Sequence, residues 1–263
     1  MIRDLVTVLQ HRQQRTPQPL VWTPELVERF WDGVWTTRLK EFSFAKQAGR
    51  ALIVAIDHLL PAGTRVLDFG AGVGDLAALL LDRELHVAGH DPSPAARASL
   101  TRRFGTRPGF LGTLGPDDRQ QFDVVLMAEV IEHVLDNDLE TTLARVARFT
   151  AAGGLVVVTT PNNEDLELGM CVDPLANVVF HRWQHVRSFT RDTLAARMAQ
   201  VGFEEVVTHE LELSEQLYVP FDRIWGKHEM DPSAASHIVS LRGDVATANG
   251  GRQNLVYVGR RRV

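Results

Sequence analysis

Glu129, Glu132 and His133 stand in the spacing Glu-x-x-Glu-His, directly after the apolar run Phe122-Asp123-Val124-Val125-Leu126-Met127. If the chain turns helical there, positions three and four apart share one face, so two carboxylates and an imidazole converge. Such a group has three uses. It can bind a divalent metal if a further ligand arrives from elsewhere. His133 can act as a general base, its pKa held near neutral by the acids beside it. Or the three side chains can shape a ligand pocket. His181 and His185, in a later segment rich in aromatic and basic residues, are the next candidates for a base.

A second stretch is Val66-Leu67-Asp68-Phe69-Gly70-Ala71-Gly72-Val73-Gly74-Asp75. A short apolar run breaks into alternating glycines and continues as Leu76-Ala77-Ala78-Leu79-Leu80-Leu81, which reads as strand, tight turn and helix. Without Cβ atoms the turn can bend sharply and let a ligand approach the main chain. The helix aims its free N–H groups at the same place. The spacing Gly70-x-Gly72-x-Gly74 differs from the G-x-G-x-x-G of dinucleotide binding, which disfavours a dehydrogenase. Asp68 before the first glycine would repel a pyrophosphate but suits a cationic or zwitterionic ligand. Asp91, 23 residues after Asp68, closes the next apolar run, ahead of Pro92. A carboxylate at that place in a doubly wound fold hydrogen-bonds ribose hydroxyls.

The elements that must position these groups alternate. Strands are expected at 65–69, 86–91, 110–114, 122–127 and 155–162, with helices at 75–83, Ser93-Pro94 to Phe104, 138–149 and 190–201. Two late strands follow, Glu204 to Leu211 and Gln253 to Gly259. This order argues for an α/β, doubly wound, mostly parallel seven-stranded sheet covered by helices. Residues 1–60 read as an N-terminal helical cap: a short helix, a Pro-rich link, a helix started by Thr23-Pro24-Glu25, and another over 39–60. Residues 61–263 read as the Rossmann-like domain, with inserts at 161–189 and 212–252. Connections of that length near the carboxyl end of a sheet act as substrate lids, so the inserts are read as the acceptor pocket.

Composition bounds the function. Net charge is −5, which gives no general attraction to nucleic acid. Cys171 is the one cysteine of the 263 residues, excluding an internal disulfide and a two-thiolate zinc site. The first ten residues lack the apolar core of a signal peptide, and no run approaches the roughly 20 apolar residues of a membrane span. The expected compartment is the reducing cytoplasm.

The acid-tipped glycine loop, the acid after the second strand, the Phe-Asp-x-Val strand and Gly153-Gly154 before the fifth strand together resemble class I S-adenosylmethionine-dependent methyltransferases. The resemblance implies S-adenosyl-L-methionine as cofactor and an antiparallel strand at one sheet edge. It implies a contact set of Asp68, Gly70, Ala71, Gly72, Gly74, Asp91, Pro92, Ala128, Glu129 and Val130. The segment after strand four is similar to that of the ubiquinone-biosynthesis O-methyltransferases, where it lines the cofactor site. A narrower resemblance is to small-RNA 3′-terminal ribose 2′-O-methyltransferases. It would make Glu129, Glu132, His133 and His185 metal ligands, but acidity and the lack of a basic stripe weigh against RNA. The reading is methyl transfer to a small-molecule acceptor, at oxygen, without a metal and without a membrane. Its alternatives are the metal-dependent RNA enzyme and a non-catalytic protein that binds the same cofactor.

Overall fold

The computed structural model describes residues 16–213 and 253–263. The short helix expected before residue 16 lies outside them, as does nearly all of the 212–252 insert with Tyr218, Phe221, Trp225 and His228.

The described chain begins with a two-residue strand, β1 (Gln18–Pro19), and helix α1 (Pro24–Thr36). Thr23 caps α1 by accepting the Leu26 N–H, and Pro24 occupies the first turn, where its missing N–H costs nothing. The single helix expected over 39–60 is instead four short pieces: a 3₁₀ turn Arg38–Phe42, α2 (Phe44–Gln47), α3 (Gly49–Ala55) and a 3₁₀ turn Asp57–Leu59. Thr37 and Ser43 restart the chain as extended N-cap residues, and Ala48 leaves helical geometry at φ −143°. The apolar periodicity survives because α3 still buries Ala51, Leu52, Ile53 and Ala55.

From there strands and helices alternate: β2 (Arg65–Phe69), α4 (Asp75–Leu81), β3 (His86–His90), α5 (Pro94–Phe104), β4 (Phe110–Leu114), β5 (Phe122–Ala128), α6 (Asp136–Phe149) and β6 (Thr150–Pro161). Next come β7 (Met170–Asp173), β8 (Val178–His181), α7 (Arg191–Gln200), β9 (Phe203–Leu211) and β10 (Asn254–Arg261). Seven strands form one sheet in the order β4-β3-β2-β5-β6-β10-β9. The first five run parallel, and β10 pairs antiparallel with both β6 and the edge strand β9. Valines and leucines of the central strands are buried on both faces, one beneath α3–α5 and the other beneath α6 and α7.

Strand β6 starts five residues earlier than expected. Gly153, at φ +72°, absorbs a register shift inside the strand rather than ending the helix before it. The 161–189 segment folds as a β7–β8 hairpin, against which β1 pairs in parallel to make a second, three-stranded sheet. It is tied to the main fold where Val186 N–H donates to the Glu132 carbonyl at 3.0 Å.

Candidate functional site

Strand ends β2, β3 and β5 open into a cavity of about 830 Å³. That is within the range of small-molecule sites, and it lies where parallel sheets hold ligands. Asp68, Gly70, Ala71, Asp91 and Pro92 form one wall, and Ala128, Glu129 and Val130 another. His133 and His185 line it as well.

The glycine loop is built by backbone bonds. The N–H groups of Gly70 and Ala71 both donate to the His90 carbonyl, at 2.7 and 3.0 Å. Only Gly70 of the three glycines faces the cavity; a Cβ there would stand 2.4 Å from Val130 Cγ2. Gly72 is needed because Trp35 sits on it, and Gly74 because Leu100 and Phe104 do. All three have positive φ. Asp91 holds the loop to β3: its Oδ2 accepts the Gly72 N–H and its Oδ1 the Ser93 N–H, both at 2.9 Å. Each oxygen keeps a lone pair for a further donor.

Asp68 is buried, and its Oδ2 has no hydrogen-bond partner among the described residues. Burial raises its pKa to about 7, opposed by a bond from the Ala77 backbone and helped to a smaller extent by the charges of Asp91 and Asp75. A carboxylate in that state lacks a cationic donor. The ammonium of a methionine moiety would supply one, so these residues suit S-adenosylmethionine.

The Glu-x-x-Glu-His segment is not α-helical. Glu129 adopts φ +51°, its N–H donating to the Thr159 carbonyl and hydroxyl, and Ile131–His133 is one 3₁₀ turn. The acidic and imidazole groups still converge. Burial raises Glu129 to about 7, and Glu132 is pushed well up by burial and by Glu129. The Thr160 hydroxyl donates to Glu132 Oε2 at 3.1 Å. His133 Nε2 is 3.8 Å from Glu132 Oε1. Its pKa is not near neutral, as the neighbouring acids suggested. Burial drives it well down, helped by the field of His185.

His181 and His185 come from the end of β8 and the loop after it, their rings stacked 4.3 Å apart. His185 is 4.9 Å from the His133 ring, whereas His181 is set behind the cavity wall. Between the two stands Glu164, which the sequence reading did not single out. Its Oε2 is 2.5 Å from His185 Nδ1 and its Oε1 3.3 Å from His181 Nε2. Its place, three residues beyond the end of β6, was the available signal. Donor atoms of Glu132, His133 and His185 lie within 4.8 Å of one another, as do those of Glu164, His181 and His185.

Helix α1 supplies an aromatic wall. Trp31 and Trp35 stack at 5.4 Å, and Trp31 meets the His133 ring edge-on at 4.8 Å. The Trp31 indole N–H donates to Gln184 Oε1 at 3.0 Å. This arrangement makes α1 a side of the cavity.

This sheet order, with a carboxylate-edged cavity at its carboxyl ends, is the fold of class I S-adenosylmethionine-dependent methyltransferases. A family model described as a methyltransferase domain matches residues 41–209, more than half of the chain, and the chain belongs to that family. It is 31% identical over 154 residues to a ubiquinone biosynthesis O-methyltransferase of Azorhizobium caulinodans, covering 54% of this chain and 59% of that protein. An uncharacterized methyltransferase of Mycobacterium bovis is 37% identical over 118 residues, 44% of this chain and 47% of that one. The chain thus spans about three-fifths or less of the length of these relatives. Among solved structures, the 1,6-didemethyltoxoflavin-N1-methyltransferase of Burkholderia thailandensis, with bound S-adenosylhomocysteine, aligns with a TM-score of 0.55. It is 20% identical and covers 94% of each chain, a likeness of fold. No helix among the described residues is long and apolar enough to cross a membrane.

Proposed function

We propose that the chain transfers a methyl group from S-adenosylmethionine to a hydroxyl of a small organic acceptor in the cytoplasm. One observation carries the reading. A buried carboxylate oxygen without a partner among the described residues, Asp68 Oδ2, and an imidazole, His185, line the same cavity. When bound, the cofactor supplies an activated methyl group on a sulfonium, so the protein has mainly to orient and deprotonate. Asp68 accepts from the ammonium, and Asp91 offers its spare lone pairs to the ribose. Gly70, Ala71 and Pro92 give a surface without bulky side chains, and Ala128 to Val130 form the facing wall. Trp31 and Trp35 exclude water from the reacting centre. The proton leaving the acceptor goes to His185. His133 is disfavoured as the base because burial holds its pKa well below the usual imidazole value, and His181 does not reach the cavity. Oxygen as acceptor atom is supported by the relatives named for O-methylation.

The test is calorimetry with S-adenosylmethionine and with NAD, then turnover on a panel of phenols, carboxylic acids and amines, with and without chelator. Cofactor binding with methylation of a hydroxyl in chelator supports the reading. Loss of activity in chelator favours a metal-dependent enzyme, for which the spacing of Glu132, His133 and His185 is suitable. Binding without turnover on any acceptor favours a non-catalytic protein.

A further inference from the structure

The region behind the cavity wall contains a hydrogen-bond chain that the proposed reaction has not used. His181 Nδ1 receives two backbone donors, the N–H of Trp183 at 3.4 Å and of His185 at 3.2 Å. A ring nitrogen that accepts carries no proton, so in the neutral imidazole the proton sits on Nε2. Burial, reinforced by the field of His185, lowers the pKa of His181. Its Nε2, which has no hydrogen-bond partner among the described residues, lies at an ion-pair distance of 3.3 Å from Glu164 Oε1. The other carboxylate oxygen, Oε2, is 2.5 Å from His185 Nδ1. Burial opposes ionisation of Glu164, but the hydrogen bond from His185 and the fields of His185, His181 and Arg182 outweigh it, and its pKa is lowered. Glu164 thus stands between the two imidazoles, one carboxylate oxygen bonded to His185 Nδ1 and the other beside His181 Nε2.

We infer that Glu164 is a positioning residue for the proposed base: it binds the Nδ1–H of His185, leaving the Nε2 lone pair as the one free to take a proton from the acceptor. His181 is the post that holds Glu164 in place. Neither Glu164 nor His181 lines the cavity, so neither touches the reactants; both act through His185. In the step itself an oxygen lone pair of the acceptor forms the bond to the methyl carbon while the methyl–sulfur bond breaks, its electron pair staying on the sulfur of the departing S-adenosylhomocysteine. The acceptor O–H bond breaks with its pair kept by oxygen, and the proton moves to His185 Nε2. The cation formed on His185 is then stabilised by the Glu164 carboxylate. The same logic operates wherever a carboxylate fixes the tautomer of a catalytic histidine.

This inference rests on the proposed reaction, and its test separates the two. Long-range ¹⁵N–¹H spectra of the wild-type protein report the His185 tautomer without any turnover. The expected result is Nδ1–H; a dominant Nε2–H form overturns the inference even if the enzyme is active. Glu164→Gln is then expected to mix the tautomers and lower kcat on the order of 10²-fold, with S-adenosylmethionine affinity and Tm near wild type. Glu164→Asp, too short to hold both rings but still anionic, is expected to recover part of that loss. A Glu164→Gln enzyme with wild-type kcat and tautomer sinks the inference and leaves the proposed methyl transfer standing. A wild-type protein with the Nδ1–H tautomer but no turnover on any hydroxyl acceptor sinks the proposed reaction instead.

Discussion

Trp31 of α1 and Gln184 of the β8–α7 loop, 153 residues apart, are joined by a 3.0 Å hydrogen bond from the indole N–H to Oε1. Gln184 is fully buried and adopts φ +62°, and its amide N–H₂ donates to the His133 carbonyl at 3.0 Å. One side chain thus connects the N-terminal cap, the insert and the acid–imidazole turn. The acid–imidazole turn is also bonded to β6 through Thr159 and Thr160, so the bridge ties the cap and the insert to a turn that the main sheet already holds.

Replacing Trp31 by Phe keeps a ring against His133 but removes the donor. The Gln184 carbonyl oxygen is then buried without a partner, which costs about 1–3 kcal/mol. The expected outcome is a lower denaturant midpoint at unchanged slope, and a raised KM for the acceptor. An unchanged midpoint means the bridge contributes nothing to folding.

Asp68 makes stability depend on pH in a defined direction. Its pKa is about 7 in the folded chain, against 3.8 for an ordinary aspartate side chain in water. Between those values the folded state holds a proton that the unfolded state has lost, so stability falls as pH rises, by at most about 1.4 kcal/mol per pH unit. Without cofactor, Asp68→Asn is expected to be the less pH-sensitive protein over that window and no less stable than wild type above it. Binding of S-adenosylmethionine needs the anion, so wild-type affinity rises as pH approaches 7 and then levels. The Asn variant is expected to bind more weakly by about 2 kcal/mol at pH 8. Equal affinity of the two proteins in calorimetry would remove Asp68 from the cofactor site.

What could be read from sequence was what local rules decide. Strands 65–69 and 110–114 have the expected limits because apolar runs bounded by glycine or charge define them. Helix α5 starts at Ser93-Pro94 as its cap predicts, with the Ser93 hydroxyl accepting the Ala96 N–H. The misread elements answer to distant contacts. The Glu129 turn is set by Thr159 on the neighbouring strand, and no helical rule anticipates a glutamate at φ +51°. The β7–β8 hairpin is completed by β1, from the other end of the chain. Glu164 gains its importance only when the hairpin brings His181 and His185 beside it. His133 was identified by type and spacing, but its depressed pKa comes from burial, which spacing does not report.

Gly70 and Val130 test the close approach of the loop to the facing wall. Gly70 has φ +85°, and an added Cβ would lie 2.4 Å from Val130 Cγ2. Gly70→Ala combines backbone strain of roughly 1 kcal/mol with overpacking of roughly 1–3 kcal/mol. The overpacking, but not the strain, should vanish when Val130 is cut to Ala. A double-mutant cycle measured by urea unfolding is therefore expected to show coupling of about 1 kcal/mol or more. Strict additivity would mean the two residues do not limit one another.

Gly169 plays the corresponding part behind the site. Its hydrogen faces the His181 ring so closely that a Cβ would stand 1.7 Å from Nε2. His181 is buried and bound through Nδ1 to two backbone N–H groups, so its ring has little room to yield. Gly169→Ala is expected to push the ring off those donors and to lower stability by roughly 1–3 kcal/mol. For a chain of this size that is a fall in Tm of several degrees. On a His181→Ala background the obstacle is gone, and adding Gly169→Ala should cost a few tenths of a kcal/mol at most. Calorimetric unfolding of the four proteins decides the point. If Gly169→Ala is as costly without the imidazole as with it, some other contact of residue 169 is responsible, and the ring is not held there by the glycine.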